Sequence, residues 1–192
     1  MTVLDRSFLP LTEGYRSPEV ASFLAQLDEL RARMFADLET ITPAELEWQP
    51  RVGTNTIGML LEHIAIVEVF WTQVGLQARP EADDAEAQAA LGMGMDDDGM
   101  PIPENGGPPA VLAGKELAFY RDQIERGREY LRAVAKSLGG SDLSGDIQRT
   151  RKDGTVRVYD RRWVLYHLVE HLAGHYGQIL LLRHLFRASR TA

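Results

Sequence analysis

The chain has no cysteine. Disulfides, thiolate metal sites and a cysteine nucleophile are thereby excluded, and any metal ligand must be a histidine or a carboxylate. Long apolar runs are also missing. The first thirty residues are interrupted by Asp5, Arg6, Glu13, Arg16, Asp28 and Glu29, unlike the core of an export signal. The longest apolar stretch is broken by Glu62, His63 and Glu68, short of the roughly 20 uninterrupted residues of a membrane span. A cytoplasmic protein with no membrane partner is expected. Basic charge is scarce as well: 21 Lys and Arg stand against 28 Asp and Glu, for a net charge of -7 and a pI near 5.3. Such a balance opposes a phosphate backbone, so nucleic acid is not an expected partner.

What is present is enough for one core. At 192 residues and 44% hydrophobic content, a single domain spanning residues 1–192 is the expectation. Ser17-Pro18-Glu19 reads as an N-cap followed by Pro at the first helical position. Val20, Phe23, Leu24, Leu27, Leu30, Met34, Phe35 and Leu38 then recur at helical spacing, which predicts a first long helix over Pro18 to Leu38. Thr42 and Glu45 make a capping box for a short turn of helix over Pro43 to Leu46. Ile57, Leu60, Leu61, Ile64, Val67 and Trp71 form the stripe of a second long helix that should stop at Gly75.

Residues 77–109 mix Ala-rich acidic sequence with glycines and five prolines, which predicts an irregular excursion outside the core, with Asp96-Asp97-Asp98 in a solvated loop. A third long helix is predicted over Ala110 to Leu138, closed by Gly139-Gly140. Asp153-Gly154, between Arg149-Thr150-Arg151 and Val156-Arg157-Val158, signals a two-stranded ribbon within 147–159. The fourth long helix covers Asp160 to Ala188, with Arg183 and Arg187 at its cation-favouring end. The resulting class is all-α: a four-helix bundle with a long crossover between helices two and three and a small β-hairpin before the last helix.

Four of the five histidines lie on the apolar flank of two predicted helices: His63 on the second and His167, His171 and His175 on the fourth. Residues four apart on a helix lie about 40° round and about 6 Å along from one another, so neighbouring histidines can grip one ion. An i, i+4 pair plus one ligand from a facing helix gives three neutral imidazoles with room left for water or substrate, the pattern of a catalytic metal site. A lone core histidine is ordinarily a hydrogen-bonded polar residue, but three unpaired imidazoles on one face would cost several kcal/mol. Spacing does not choose between the pair His167 with His171 and the pair His171 with His175. His184 falls off the line.

The run His171-Leu172-Ala173-Gly174-His175-Tyr176-Gly177-Gln178-Ile179, preceded by His167 and joined with Thr56-Ile57-Gly58-Met59-Leu60-Leu61-Glu62-His63, resembles the DinB-like (DinB/YfiT) metalloenzyme superfamily. The resemblance spans both motif helices and the helix order. It implies His63, His171 and His175 as metal ligands, and leaves His167 and Gln178 as residues supporting the ligands or touching substrate. It further implies a metal-dependent transferase or isomerase that uses a low-molecular-weight thiol such as bacillithiol or mycothiol, and a homodimer. Zinc is the first choice of ion, with nickel next and iron possible, since imidazole suits all three. The same open site would also serve a metal-dependent hydrolase, or a non-catalytic, stress-related metal-binding bundle.

The remaining candidates have plainer readings. Glu62 and Glu170 each precede a histidine by one residue and point about 100° away from it, which suits the surface or a neighbouring helix. Trp71, Trp163 and Tyr166 fit core or pocket lining. Arg149, Arg151 and Arg157 are either a solvated ribbon or a place for an anionic cosubstrate. A carboxylate that closed the metal site would have to be Glu68, Glu116 or Asp122.

Overall fold

The Ser17 hydroxyl accepts from the Val20 N–H and Pro18 fills the first turn, so α1 begins where the sequence places it and runs Pro18–Asp37 in the computed structural model, which describes residues 8–151 and 153–190. The capping box forms: Thr42 Oγ1 accepts from the Glu45 N–H and Glu45 Oε2 accepts from the Thr42 N–H, each at 3.2 Å, opening α2, Pro43–Glu47. Thr56 Oγ1 caps Met59 at 3.1 Å to start α3, Ile57–Trp71. α3 does not stop at Gly75 but continues as a π-helical turn, Thr72–Leu76. Gly75 is small for another reason, since a Cβ there would meet the Val164 side chain at 2.7 Å. The stretch Ile57–Leu76 has the length and mean hydropathy of a membrane span, 1.4 over 20 residues, yet 83% of that window is buried inside the protein, as in a core helix.

The crossover is more ordered than predicted. Asp83 caps α4, Asp84–Leu91, which buries Ala87 and Leu91, and Met93 follows them into the core. The apolar residues here are too few to show a helical period, although each lands on packed neighbours. The next long helix also begins later than expected: Ala110–Leu112 is a 3-10 turn, Gly114 adopts a left-handed φ of +71°, and α5 runs Leu117–Ala135. The ribbon forms as predicted. Strands β1, Ile147–Thr150, and β2, Val156–Tyr159, pair antiparallel with Ile147 opposite Tyr159 and Arg149 opposite Arg157. Asp160 then caps α6, Arg161–Ser189, through the Trp163 N–H at 2.7 Å.

The four long helices α1, α3, α5 and α6 make an all-α bundle. α3 is its centre, packing on α5 and α6 and touching α2 and α4 as well. Gly127 lets α5 approach closely, because a Cβ there would sit 2.9 Å from the Ala65 carbonyl oxygen on α3.

A buried charge network fixes the same three-helix junction. Arg128 on α5 is fully buried; its Nε and Nη2 donate to the two oxygens of Glu68 on α3 at 2.9 and 2.5 Å, and Nη1 donates to Asp28 on α1 at 2.5 Å. Arg132 reaches the same Asp28 oxygen at 2.9 Å. Breaking a buried pair leaves a charge without a partner, whereas replacing both members by apolar side chains is nearly neutral. Arg128→Ala is therefore expected to cost about 3–5 kcal/mol in urea unfolding, and the pair Arg128→Met with Glu68→Leu to recover most of that. A double variant no more stable than the single one would show that the network contributes more than mutual neutralisation.

Candidate metal centre

The local sequence of α3 and α6 builds the site before any ligand enters. His63 lies one turn and a half into α3, and His171 and His175 lie one turn apart in the middle of α6, the helix packed against it. Their imidazoles meet. His63 Nε2 lies 3.1 Å from His171 Nε2, and His175 Nε2 lies 3.0 Å from the same atom. All three ligand atoms lie within 4.8 Å of one another, and among the described residues no further His, Asp or Glu joins the group. Of the two pairings that spacing left open, His171 with His175 is the one brought to His63.

The outward nitrogens explain why the inner ones are bare. His63 Nδ1 is 2.7 Å from Asp98 Oδ2, and His175 Nδ1 is 2.9 Å from Gln178 Oε1. With oxygen acceptors on the outside, the ring proton of each residue sits on Nδ1 and the Nε2 lone pair faces inward. Two such lone pairs then point at His171 Nε2, which carries at most one proton to share between them. A set of three nitrogens with too few hydrogens is unsatisfied by itself and matched to a cation. Burial, reinforced by the neighbouring imidazoles, pushes His171 down to about 2. Burial also lowers His175, against the Gln178 hydrogen bond, which raises it. Both are neutral at ordinary pH, the form that ligates metals.

Asp98 departs from the sequence reading. It is not solvated but 3% exposed, and Oδ1 accepts from the Met100 N–H at 2.9 Å while Oδ2 serves His63. Its partner is 35 positions away on α3, so no local pattern separates it from Asp96 and Asp97. Glu62 also departs. It is fully buried on α3, neither carboxylate oxygen has a hydrogen-bond partner, and burial, with the charges of Asp98 and Asp97, pushes it up to about 8. That burial was readable: Ile57 to Ile66 is apolar nearly all the way round, which demands cover on every side.

His167 stays outside the trio. It stacks on Trp163 with ring centres 4.7 Å apart and planes at 12°, meets Trp71 edge-on, and pairs through Nδ1 with Glu170 at 2.9 Å. Trp71 is core and Trp163 half-buried, whereas Tyr166 is 49% exposed on the outer face of α6. His184 is exposed beside Arg183 and Arg187, away from the centre. Of the carboxylates that might have closed the site, Glu68 serves Arg128, Asp122 pairs with Arg126 at 2.8 Å, and Glu116 is exposed at the start of α5. Depressions of about 490 and 570 Å³ lie along α5 and touch no histidine.

A sequence profile described as Mycothiol-S-transferase matches residues 22–188, nearly all of the helical bundle. The chain belongs to the mycothiol S-transferase family. That family lies within the DinB/YfiT-like metalloenzyme superfamily, and membership implies a small-molecule substrate. No curated protein matches the chain significantly.

Glu62 gives this S-transferase family member a definite pH signature. An acid raised from 4.5 to about 8 keeps its proton in the folded state while the unfolded chain loses it. The resulting loss of stability begins near the unfolded value, grows as pH rises, and is complete above the folded value. At most about 4 kcal/mol is involved. Measured by urea unfolding in a chelator, Glu62→Gln is expected to gain on the wild type steadily from pH 5 to pH 8. A difference that stays constant over that range would contradict a protonated Glu62.

Proposed function

We propose that His63, His171 and His175 bind one divalent metal ion through Nε2, and that the protein is a metal-dependent S-transferase acting on a low-molecular-weight thiol and a small organic partner. The observation that carries this reading is the convergence of three imidazole lone pairs, two of them directed inward by Asp98 and Gln178. When bound, the ion supplies a cationic position at which a thiol sulfur gives up its proton. The chain's residues supply the rest. Asp98 and Gln178 hold the ring planes, and burial keeps His171 and His175 neutral. The engagement of Glu68, Asp122 and Glu116 elsewhere leaves the trio open to an incoming group.

The thiol must come from outside, because the chain has none. Mycothiol is the thiol that the family name points to, and it is our first choice of cosubstrate. Zinc is the first choice of ion, nickel and iron following, because three imidazoles favour each of them over magnesium or calcium. We place the enzyme in the cytoplasm, as a single domain that pairs into a homodimer. Leu180, Leu181 and Leu185, exposed on α6, offer apolar surface for that pairing.

Elemental analysis of purified, untagged protein tests the reading directly. Near one equivalent of a transition metal is expected in the wild type and little in His63→Ala or His171→Ala, with thiol consumption and the metal-dependent rise in Tm lost together. Absence of metal from the wild type after reconstitution with zinc, nickel and iron would overturn it.

Asp98→Asn should keep the fold but weaken metal affinity about 10–100-fold in a competitive chelator titration, the usual effect of losing the acceptor behind a histidine ligand. Unchanged affinity would remove Asp98 from the site's support.

A further inference from the structure

The ribbon carries a charge arrangement that folding alone does not account for. Arg149 and Arg157 are directly opposite one another on β1 and β2, on the face that also presents the buried Ile147 and Tyr159. Like charges in that register repel, and here both are turned inward and half-buried, where water screens them less. Among the described residues neither forms an ion pair with a carboxylate, although the other arginines at this end are matched. Arg162 pairs with Glu19, and Arg161 donates to the Leu76 and Asp142 carbonyls. Glu170, whose charge is felt from Arg157, gives its oxygens to His167 and Tyr166 instead.

The two guanidiniums rest on aromatic rings. The central carbon of Arg149 is 4.9 Å from the Phe70 ring centre, and that of Arg157 is 4.1 Å from Trp163 and 5.8 Å from Trp71. Stacking uses the flat face of a guanidinium and leaves its N–H edge free for an acceptor in the plane. The result is two adjacent donor edges with no acceptor between them. The rings beneath also lead to the metal centre: Trp163 stacks on His167, and the His167 ring lies 5.8 Å from that of His171.

We propose that Arg149 and Arg157 form a carboxylate-binding site beside the histidine centre, which takes the acid group of a small organic substrate. In assigning this group to a substrate the inference rests on the S-transferase reading, but carboxylate binding itself needs no metal, so the two can fail separately. The competing explanation is structural: inward charges on an exposed ribbon discourage edge-to-edge strand addition. It calls for no ligand.

The experiment is calorimetric titration of the whole chain with succinate, in chelator and again after metal loading, with succinamide as the neutral counterpart and inorganic phosphate as the competing anion. Saturable succinate binding is expected with and without metal, weakened at least tenfold in Arg157→Gln and in Arg149→Gln and absent with succinamide. Losing one of two repelling charges carries no folding penalty, and unchanged Tm and metal content in each variant check this. Arg157→Lys, which keeps the charge without the fork, should recover part of the affinity. Three results would overturn the proposal: no saturation by succinate, equal affinity in the Arg149→Gln/Arg157→Gln double variant, or tighter binding of phosphate. Intact succinate binding in a protein that takes up no metal would sink the S-transferase reading and leave the carboxylate site standing.

Discussion

A helix buried on all its faces has no solvent in which to leave a charge, and α3 carries Glu62, His63 and Glu68 within two turns. Each is resolved by different means. Glu68 is neutralised by Arg128, which in turn draws in Asp28 and so ties α1, α3 and α5 together. His63 hands one nitrogen to Asp98 and directs the other at α6. Glu62 has no partner and gives up its charge by keeping its proton. The bundle's register is therefore fixed by polar chemistry on its most apolar helix, and the histidine centre is one of three solutions to the same constraint.

That constraint explains what could be read from the sequence. The long helices announce themselves through caps and apolar periods, and Ser17, Thr42 and Thr56 cap where their positions suggest. The hairpin follows from Asp153-Gly154. Spacing brings out the histidines because an i, i+4 pair is a local geometric fact. The acceptors behind them divide: Gln178 sits three residues past His175 and is reached by the same reasoning, while Asp98 comes from a distant loop whose composition resembles any solvated acidic turn. Likewise α4 escapes notice because eight residues with two buried side chains hold too little period to register.

The two flanks of the centre differ in mobility and access. On the α3 side, the crossover closes over His63 through Asp98, itself anchored by the Met100 N–H. On the α6 side, Gly174 and Gly177 flank His175 with nothing within 4 Å of where a Cβ would be, so that face is open. The side chain of His63 remains 21% exposed despite its buried helix. A small molecule would thus approach along α6, not through the crossover.

An S-transfer needs two small molecules at one place, and a chain without cysteine can hold neither covalently through sulfur. Selectivity must then come from groups around the open face. The α3 side contributes acids, Asp97, Asp98 and Glu62, which favour a cation and repel an anionic substrate. The ribbon side contributes the unpaired arginines on an aromatic wall. An anionic molecule would be drawn to the ribbon and held off the crossover, so the field across the centre is oriented before any ligand arrives. In a protein of net charge -7 such a local reversal of sign has to be built from particular residues, and the cross-strand pairing of Arg149 with Arg157 is where this chain builds it.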